Sequence, residues 1–175
     1  MGGLGSGKSG WRHTVEGCLT LDANLWMRKG VLAPGRLSSG SWMWSNSYTE
    51  EKIASIGYEV NTLDKHNPVC RLYYKRTNTG EEKIETVIKL VTTTPHFGGL
   101  RWWFICPLIV RGRACWRRVG KLYLPNGAKY FGCRHCYNLT YTSCNESHNN
   151  DSLFRLIALN MSCAPEIVRA AFKDK

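Results

Sequence analysis

Acidic residues are missing from a long part of this sequence, because neither Asp nor Glu occurs from residue 86 to residue 145. The chain of 175 residues has a formal net charge of +11, and nine of its basic residues fall in that stretch. They are Lys89, Arg101, Arg111, Arg113, Arg117, Arg118, Lys121, Lys129 and Arg134. Positive charge collected in this way can neutralise phosphates, so the stretch predicts a nucleic-acid surface.

Long apolar runs are also absent. No run approaches the roughly 18 residues that a membrane-crossing helix needs, although 43% of the residues are hydrophobic and can form a core. We therefore expect no membrane as a partner. No apolar signal segment opens the chain, so we expect a cytoplasmic location, where reducing conditions favour metal binding over disulfides.

The sequence also lacks an obvious catalytic arrangement. No Ser-His-Asp or nucleophilic Cys-His set stands out, so we predict no catalytic residue and favour a protein that is not an enzyme. Glu146, His148 and Asp151 leave a metal-dependent nuclease as an alternative, but they lie in a polar linker suited to turns and caps. Residues 2–9 match the phosphate-binding loop pattern without the preceding strand that such a loop needs.

Four of the eight cysteines form two pairs with the spacing of a metal site. Cys133-Arg-His-Cys136 is a tight turn that can direct two thiolates to one side, and Cys106 with Cys115 supplies two more. Seventeen residues separate the pairs, whereas eight residues separate Cys106 from Cys115, more than the usual interval. We predict a four-cysteine zinc ribbon with structural Zn²⁺. Two disulfides or four unrelated buried thiols are the alternatives.

Aromatic residues are interleaved with the basic ones, and flat rings can stack on bases while basic groups bind phosphates. The predicted phosphate contacts are Arg111, Arg113, Arg117, Arg118, Lys121 and Arg134. The predicted base contacts are Trp116, Tyr123, Tyr130 and Tyr137. In the alternative interpretation, the rings form a small core and the arginines its solvated face.

Apolar and polar residues alternate in four runs between residues 41 and 90, which is typical of antiparallel strands with one buried face. Before them, Thr20 or Asp22 can cap a short helix that ends near Gly30. Further strands are predicted at residues 101–105, 116–124 and 128–131, and short helices at 153–161 and 166–172.

These elements predict an α+β fold in four parts. Residues 1–37 would form a flexible basic arm and a short helix, and residues 38–100 an antiparallel β body. Residues 101–145 would form the zinc ribbon, and residues 146–175 a helical tail.

Several short motifs occur together along the chain. They are Gly-Gly-x-Gly-Ser-Gly from residue 2, Leu21-Asp22, Gly30-Val-Leu-x-Pro-Gly35, Ala54-Ser-Ile56, Trp103-Phe-x-Cys106-Pro and Phe131-x-Cys133-Arg-His-Cys136-Tyr-x-Leu-x-Tyr141. In these motifs the chain resembles a family of small bacterial zinc-ribbon proteins that is often found in prophages and other mobile elements. The resemblance implies the four ribbon cysteines and a mobile-element setting, but no particular activity.

The first hypothesis is a zinc-ribbon protein of a phage or mobile element that binds nucleic acid without catalysis. A second is an inhibitor that docks on a host defence nucleoprotein complex, since a basic, aromatic face also suits such a partner. The oligomeric state stays open.

Overall fold

The computed structural model describes residues 12–46, 49–76, 82–145 and 151–161, together with Ala164 and Glu166. The residues described up to Thr140 form one compact unit, and those from Tyr141 onward belong to another. The predicted arm at residues 1–11, the linker with Glu146 and His148, and residues 167–172 of the last predicted helix lie outside the described residues.

The described elements follow one another in an order dominated by strands. They are β1 (Leu19–Asp22), α1 (Ala23–Arg28), β2 (Leu37–Ser45), β3 (Lys52–Asn61), β4 (Val69–Arg76), β5 (Glu82–Thr93), β6 (Arg101–Ile105), β7 (Ile109–Val110), β8 (Arg113–Ala114), β9 (Arg118–Val119), β10 (Lys121–Leu124), α2 (Thr142–Asn145) and α3 (Asp151–Asn160). None of the described helices is both long enough and apolar enough to cross a membrane.

A six-stranded antiparallel sheet forms the body of the first unit, in the order β2-β3-β4-β5-β6-β9. The prediction of four antiparallel strands between residues 41 and 90 is thereby confirmed. Pairing continues from β5 into β6 and β9, so the same sheet runs past residue 100. Two small sheets, β1 with β10 and β7 with β8, complete the described pairing.

The inner face of the sheet is apolar with the period of two that the sequence indicates. Cys70 and Leu72 are fully buried on β4, while the residue between them, Arg71, is exposed. On β6, Trp102 and Phe104 are buried. Because neighbouring side chains of a strand point to opposite faces, this register leaves Arg101 and Trp103 on the outer face.

Trp26 of α1 lies at the centre of the core and is fully buried. Its ring centroid lies 5.5 Å from that of Trp42, 5.3 Å from that of Tyr58 and 5.9 Å from that of Phe104. The short helix therefore packs its indole against rings from three strands. Aromatic contacts of this kind stabilise the fold beyond the contribution of the buried area alone.

The predicted strand at residues 128–131 is wrong. Here β10 pairs with β1 over four residues, and the later segment forms only an isolated bridge between Tyr123 and Gly132. Phe131 explains the difference, because its ring packs against Trp44 and Tyr74 in the core. The predicted strand at residues 116–124 is divided into β9 and β10 on either side of Gly120.

Asp22 ends β1 and caps α1, as the sequence predicts. Its Oδ1 accepts hydrogen bonds from the backbone N–H of Asn24 at 2.8 Å and of Leu25 at 3.2 Å. Its Oδ2 lies 3.2 Å from Nζ of Lys121 on β10. One carboxylate thus joins the helix start to the β1–β10 pair.

Replacing Asp22 separates these two roles. We expect Asp22→Ala to lower the free energy of unfolding by about 1 kcal/mol, because the N-cap acceptor is lost. Asp22→Asn keeps the acceptor and loses only the partly exposed ion pair with Lys121, so we expect a loss below about 0.5 kcal/mol. Urea denaturation of both variants measures the difference, and equal losses would contradict the capping role.

Candidate metal centre and adjoining basic surface

Four thiols converge in the first unit, as the cysteine spacing predicts. The ligand atoms of Cys106, Cys115, Cys133 and Cys136 all lie within 4.8 Å of one another. Sγ of Cys106 lies 3.8 Å from that of Cys136, and Sγ of Cys115 lies 3.8 Å from that of Cys133. Cys133 and Cys136 are 3.5 Å apart at their sulfur atoms.

These distances fit a tetrahedral metal site. Four sulfurs placed about 2.3 Å from a central zinc ion would lie about 3.8 Å from one another. The separations are much longer than the roughly 2.05 Å of a disulfide, and the described cysteines are all free thiols. The four cysteines can therefore hold a metal ion, and the disulfide alternative does not describe this structure.

In the first corner, the eight residues between Cys106 and Cys115 form a small hairpin. Between Cys106 and Cys115, β7 and β8 pair around a two-residue turn at Arg111 and Gly112. Both turn residues have positive φ, 52° and 75°, the pattern of a type I′ turn that matches strand twist. The Cys115 N–H then donates to the Leu108 carbonyl at 2.9 Å and closes the loop.

The second corner is a tight turn on buried backbone. The N–H of Cys133 donates to Sγ of Cys106 at 3.3 Å, which links the two corners directly. The N–H of Tyr137 donates to the Cys133 carbonyl at 3.3 Å, and that of Leu139 to the Arg134 carbonyl at 2.9 Å. These bonds hold the turn compact below its two thiols.

Burial and hydrogen bonds between the thiols shift the pKa values of three of the four cysteines. Burial raises the pKa of the Cys106 thiol to about 11 and also raises the pKa of the Cys136 thiol. Burial acts on Cys133 too, but hydrogen bonds from the Cys136 backbone and from the neighbouring thiols outweigh it and lower the Cys133 pKa. Metal ions bind thiolates, so uptake releases protons and affinity increases with pH.

Gly132 stands directly before Cys133, where two side chains leave little room for a Cβ atom. A Cβ atom there would clash with Cδ1 of Leu108 and would lie 2.8 Å from its Cγ and 2.9 Å from Cε2 of Tyr137. The backbone cannot easily move aside, because Gly132 and Tyr123 exchange two hydrogen bonds of 2.8 and 2.9 Å. Glycine therefore allows the second corner to approach the first.

The predicted phosphate contacts differ in their surroundings. Arg111, Arg113, Arg117 and Arg118 are exposed around the first corner. Within the described part of the chain, none of these four arginines forms an ion pair with a carboxylate. Lys121 is exposed but pairs with Asp22, and Arg134 is half-buried.

The predicted base contacts need a correction. Tyr123 is only 7% exposed and lacks the open ring face that stacking on a base requires. Tyr137 is half-buried, and its hydroxyl donates to the carbonyl of Tyr130, whose own ring is partly exposed. Trp116 is the most open of the four, with 59% of its surface exposed. The interpretation of the aromatic residues as core holds for several others, which are Trp102, Phe104 and Phe131.

Three residues outside the predicted site, Lys89, Arg101 and Trp103, lie beside two members of it, Trp116 and Arg118. On the outer sheet face, the guanidinium carbons of Arg101 and Arg118 lie 4.1 and 5.3 Å from the Trp103 ring centroid. Nζ of Lys89 lies 5.2 Å from the centroid of the Trp116 ring. We call Lys89, Arg101, Trp103, Trp116 and Arg118 the cation–aromatic strip. Strand alternation along β6 was the sequence signal that could have identified it.

Acidic residues neutralise other parts of the sheet. Arg71 on β4 lies 3.8 Å from Glu85 on β5. Lys129 forms an ion pair with Glu82, which raises the pKa of its ammonium group chiefly through the hydrogen bond. The net positive charge is therefore concentrated on the cation–aromatic strip and the exposed arginines beside the cysteine cluster.

Comparisons of this chain with protein-family models, with curated proteins and with solved structures found no match. The resemblance to a prophage-associated family thus stays a prediction from the sequence motifs.

Adding one methyl group at Gly132 tests the close approach of the two corners. We expect Gly132→Ala to lower the free energy of unfolding by about 1–3 kcal/mol, as overpacking commonly does. Thermal and urea denaturation of the metal-loaded protein measure the change.

Gly120→Ala is the matched control. A Cβ atom at Gly120 would meet the Trp103 ring at an ordinary contact distance of 3.7 Å, so we expect a change below about 1 kcal/mol. Equal stabilities of the two alanine variants would contradict the steric role of Gly132.

Proposed function

We propose that this chain is a zinc-ribbon protein that binds nucleic acid without catalysing a reaction. The observation that carries the proposal is that the cysteine cluster and a basic, aromatic surface lie side by side in the first unit. A four-cysteine cluster lies directly beside exposed arginines and a cation–aromatic strip, with no acidic residue in the surrounding sequence from residue 86 to residue 145.

Zinc is the metal that best suits this donor set. Four thiolates are soft ligands, and a tetrahedral four-sulfur site is typical of structural zinc. All four positions would be filled by protein sulfur, so bound zinc would crosslink the chain and leave no open position for a substrate. The chain's own contribution is the two backbone turns that bring the thiols together.

The arginines support phosphate binding. Guanidinium groups donate bidentate hydrogen bonds to phosphate oxygens and stay charged at all physiological pH values. Arg113 and Arg117 flank Cys115 and have exposed side chains. A polyanion lying over this surface would displace counterions, which gives binding a steep dependence on salt.

The mobile-element setting rests on the resemblance of the sequence motifs. A protein partner, such as a host defence nucleoprotein complex, would use the same exposed arginines and rings. Purification of the chain with one stable protein partner, and without nucleic acid, would favour that alternative.

Neutralising two arginines tests phosphate binding. We expect the affinity of the wild-type protein for a mixed-sequence oligonucleotide to decrease linearly on a log–log plot against salt. The double variant Arg113→Gln, Arg117→Gln should bind oligonucleotides of any sequence more weakly, and the magnitude of its slope should be smaller by about two. Fluorescence anisotropy at several salt concentrations measures both quantities.

The control removes the same amount of charge elsewhere. Lys52 and Lys65 are also exposed but lie outside the acid-free stretch, so the variant Lys52→Gln, Lys65→Gln should change the slope by less than one. If both double variants bind alike, or if the wild-type protein binds no oligonucleotide, the proposed function is wrong.

A further inference from the structure

Trp116 holds an unusual position for a large apolar side chain. More than half of its surface is exposed, although it lies within the compact first unit. Its backbone has φ of +51°, in the left-handed region that bulky residues rarely occupy. Strain of this kind is unfavourable and persists where the surrounding structure fixes it, often at binding sites.

Both neighbours of Trp116 fix its backbone to the cysteine cluster. On one side, Cys115 contributes a thiol and donates its N–H to the Leu108 carbonyl at 2.9 Å. On the other side, the Arg117 carbonyl accepts a hydrogen bond of 2.9 Å from the N–H of Cys106. The ring is therefore presented by a rigid corner, so little conformational entropy remains to be lost when a ligand covers it.

One cationic group lies over this ring, and two more stand close to it in the sequence. Lys89 lies 5.2 Å from the ring centroid, and the exposed arginines Arg113 and Arg117 flank it in sequence. The second ring of the strip, Trp103, is half-buried and has guanidinium groups on it from Arg101 and Arg118. Trp116 is thus the ring of the strip that is best placed to receive a flat ligand.

We propose that Trp116 is a stacking platform for an unpaired base and that the surface selects single-stranded over double-stranded nucleic acid. This inference rests on the proposed function and adds its substrate class. In a duplex the faces of internal bases are covered by their neighbours, whereas a single strand can place a base face on an aromatic ring. Phosphates are available in both forms, so the ring contact discriminates while the arginines do not.

The test compares one oligonucleotide as a single strand and in its duplex, by fluorescence anisotropy at fixed salt. The key variant is Trp116→Asn, because asparagine tolerates the left-handed backbone and removes the ring. We expect it to weaken single-strand binding by about 5- to 150-fold, the usual effect of losing one stacked aromatic. Duplex binding should change by less than about twofold, and Trp116→Phe should keep most of the single-strand affinity.

Met43 supplies a matched control, because it is also 59% exposed but lies on β2 at the opposite edge of the sheet. Met43→Asn should leave both affinities unchanged. Circular dichroism and metal content of each variant establish that it is folded.

The outcomes separate the two proposals. A preference for the single strand that disappears in Trp116→Asn supports the platform. Equal binding of single strand and duplex, or an equal loss of both in folded Trp116→Asn, overturns the inference while phosphate binding stands. No binding of either form by the wild-type protein overturns both.

Discussion

Four thiols from two distant segments converge at one point of the first unit. The two segments that supply them, Cys106 to Cys115 and Cys133 to Cys136, contain little regular structure beyond the two-residue strands β7 and β8. Two of the sulfurs belong to buried residues of the hydrophobic core, so the cluster is continuous with the packing around Trp26. A metal ion held there would close a loop of about 30 residues in the unfolded chain and limit its entropy. Without it, neutral thiols would offer only weak hydrogen bonds.

The basic surface adjoins this cluster. Trp116 and Arg117 follow Cys115 of the cluster directly in the sequence. Strand β9 then places Arg118 beside Trp103 on the outer sheet face. The ion pair between Arg71 and Glu85 neutralises charge farther along the same sheet. The result is a sheet whose inner face builds the core and whose outer face, at one edge, combines rings with cations. Sheet faces that carry aromatic residues are well suited to single strands.

Local patterns in the sequence predict much of this fold. Alternation predicts the four strands between residues 41 and 90, the Asp22 carboxylate predicts the cap of α1, and cysteine spacing predicts all four members of the cluster. Local patterns do not predict which distant strands pair with each other. The pairing of β1 with β10 joins segments about 100 residues apart, and nothing in a short stretch encodes it. Tyr123 lies within that pairing and is buried, and Phe131 packs against two distant rings, Trp44 and Tyr74.

Cobalt(II) titration of the metal-free protein distinguishes a metal centre from four unrelated thiols, because the absorption spectrum of bound cobalt reports both stoichiometry and ligand geometry. We expect about one equivalent of cobalt to saturate the protein and to give the intense visible bands and sulfur charge transfer of a tetrahedral four-thiolate site. Zinc should displace it, and the variant Cys136→Ser should lose the four-sulfur spectrum. Absence of uptake, or a weak octahedral spectrum, would mean that the four thiols do not form a metal centre.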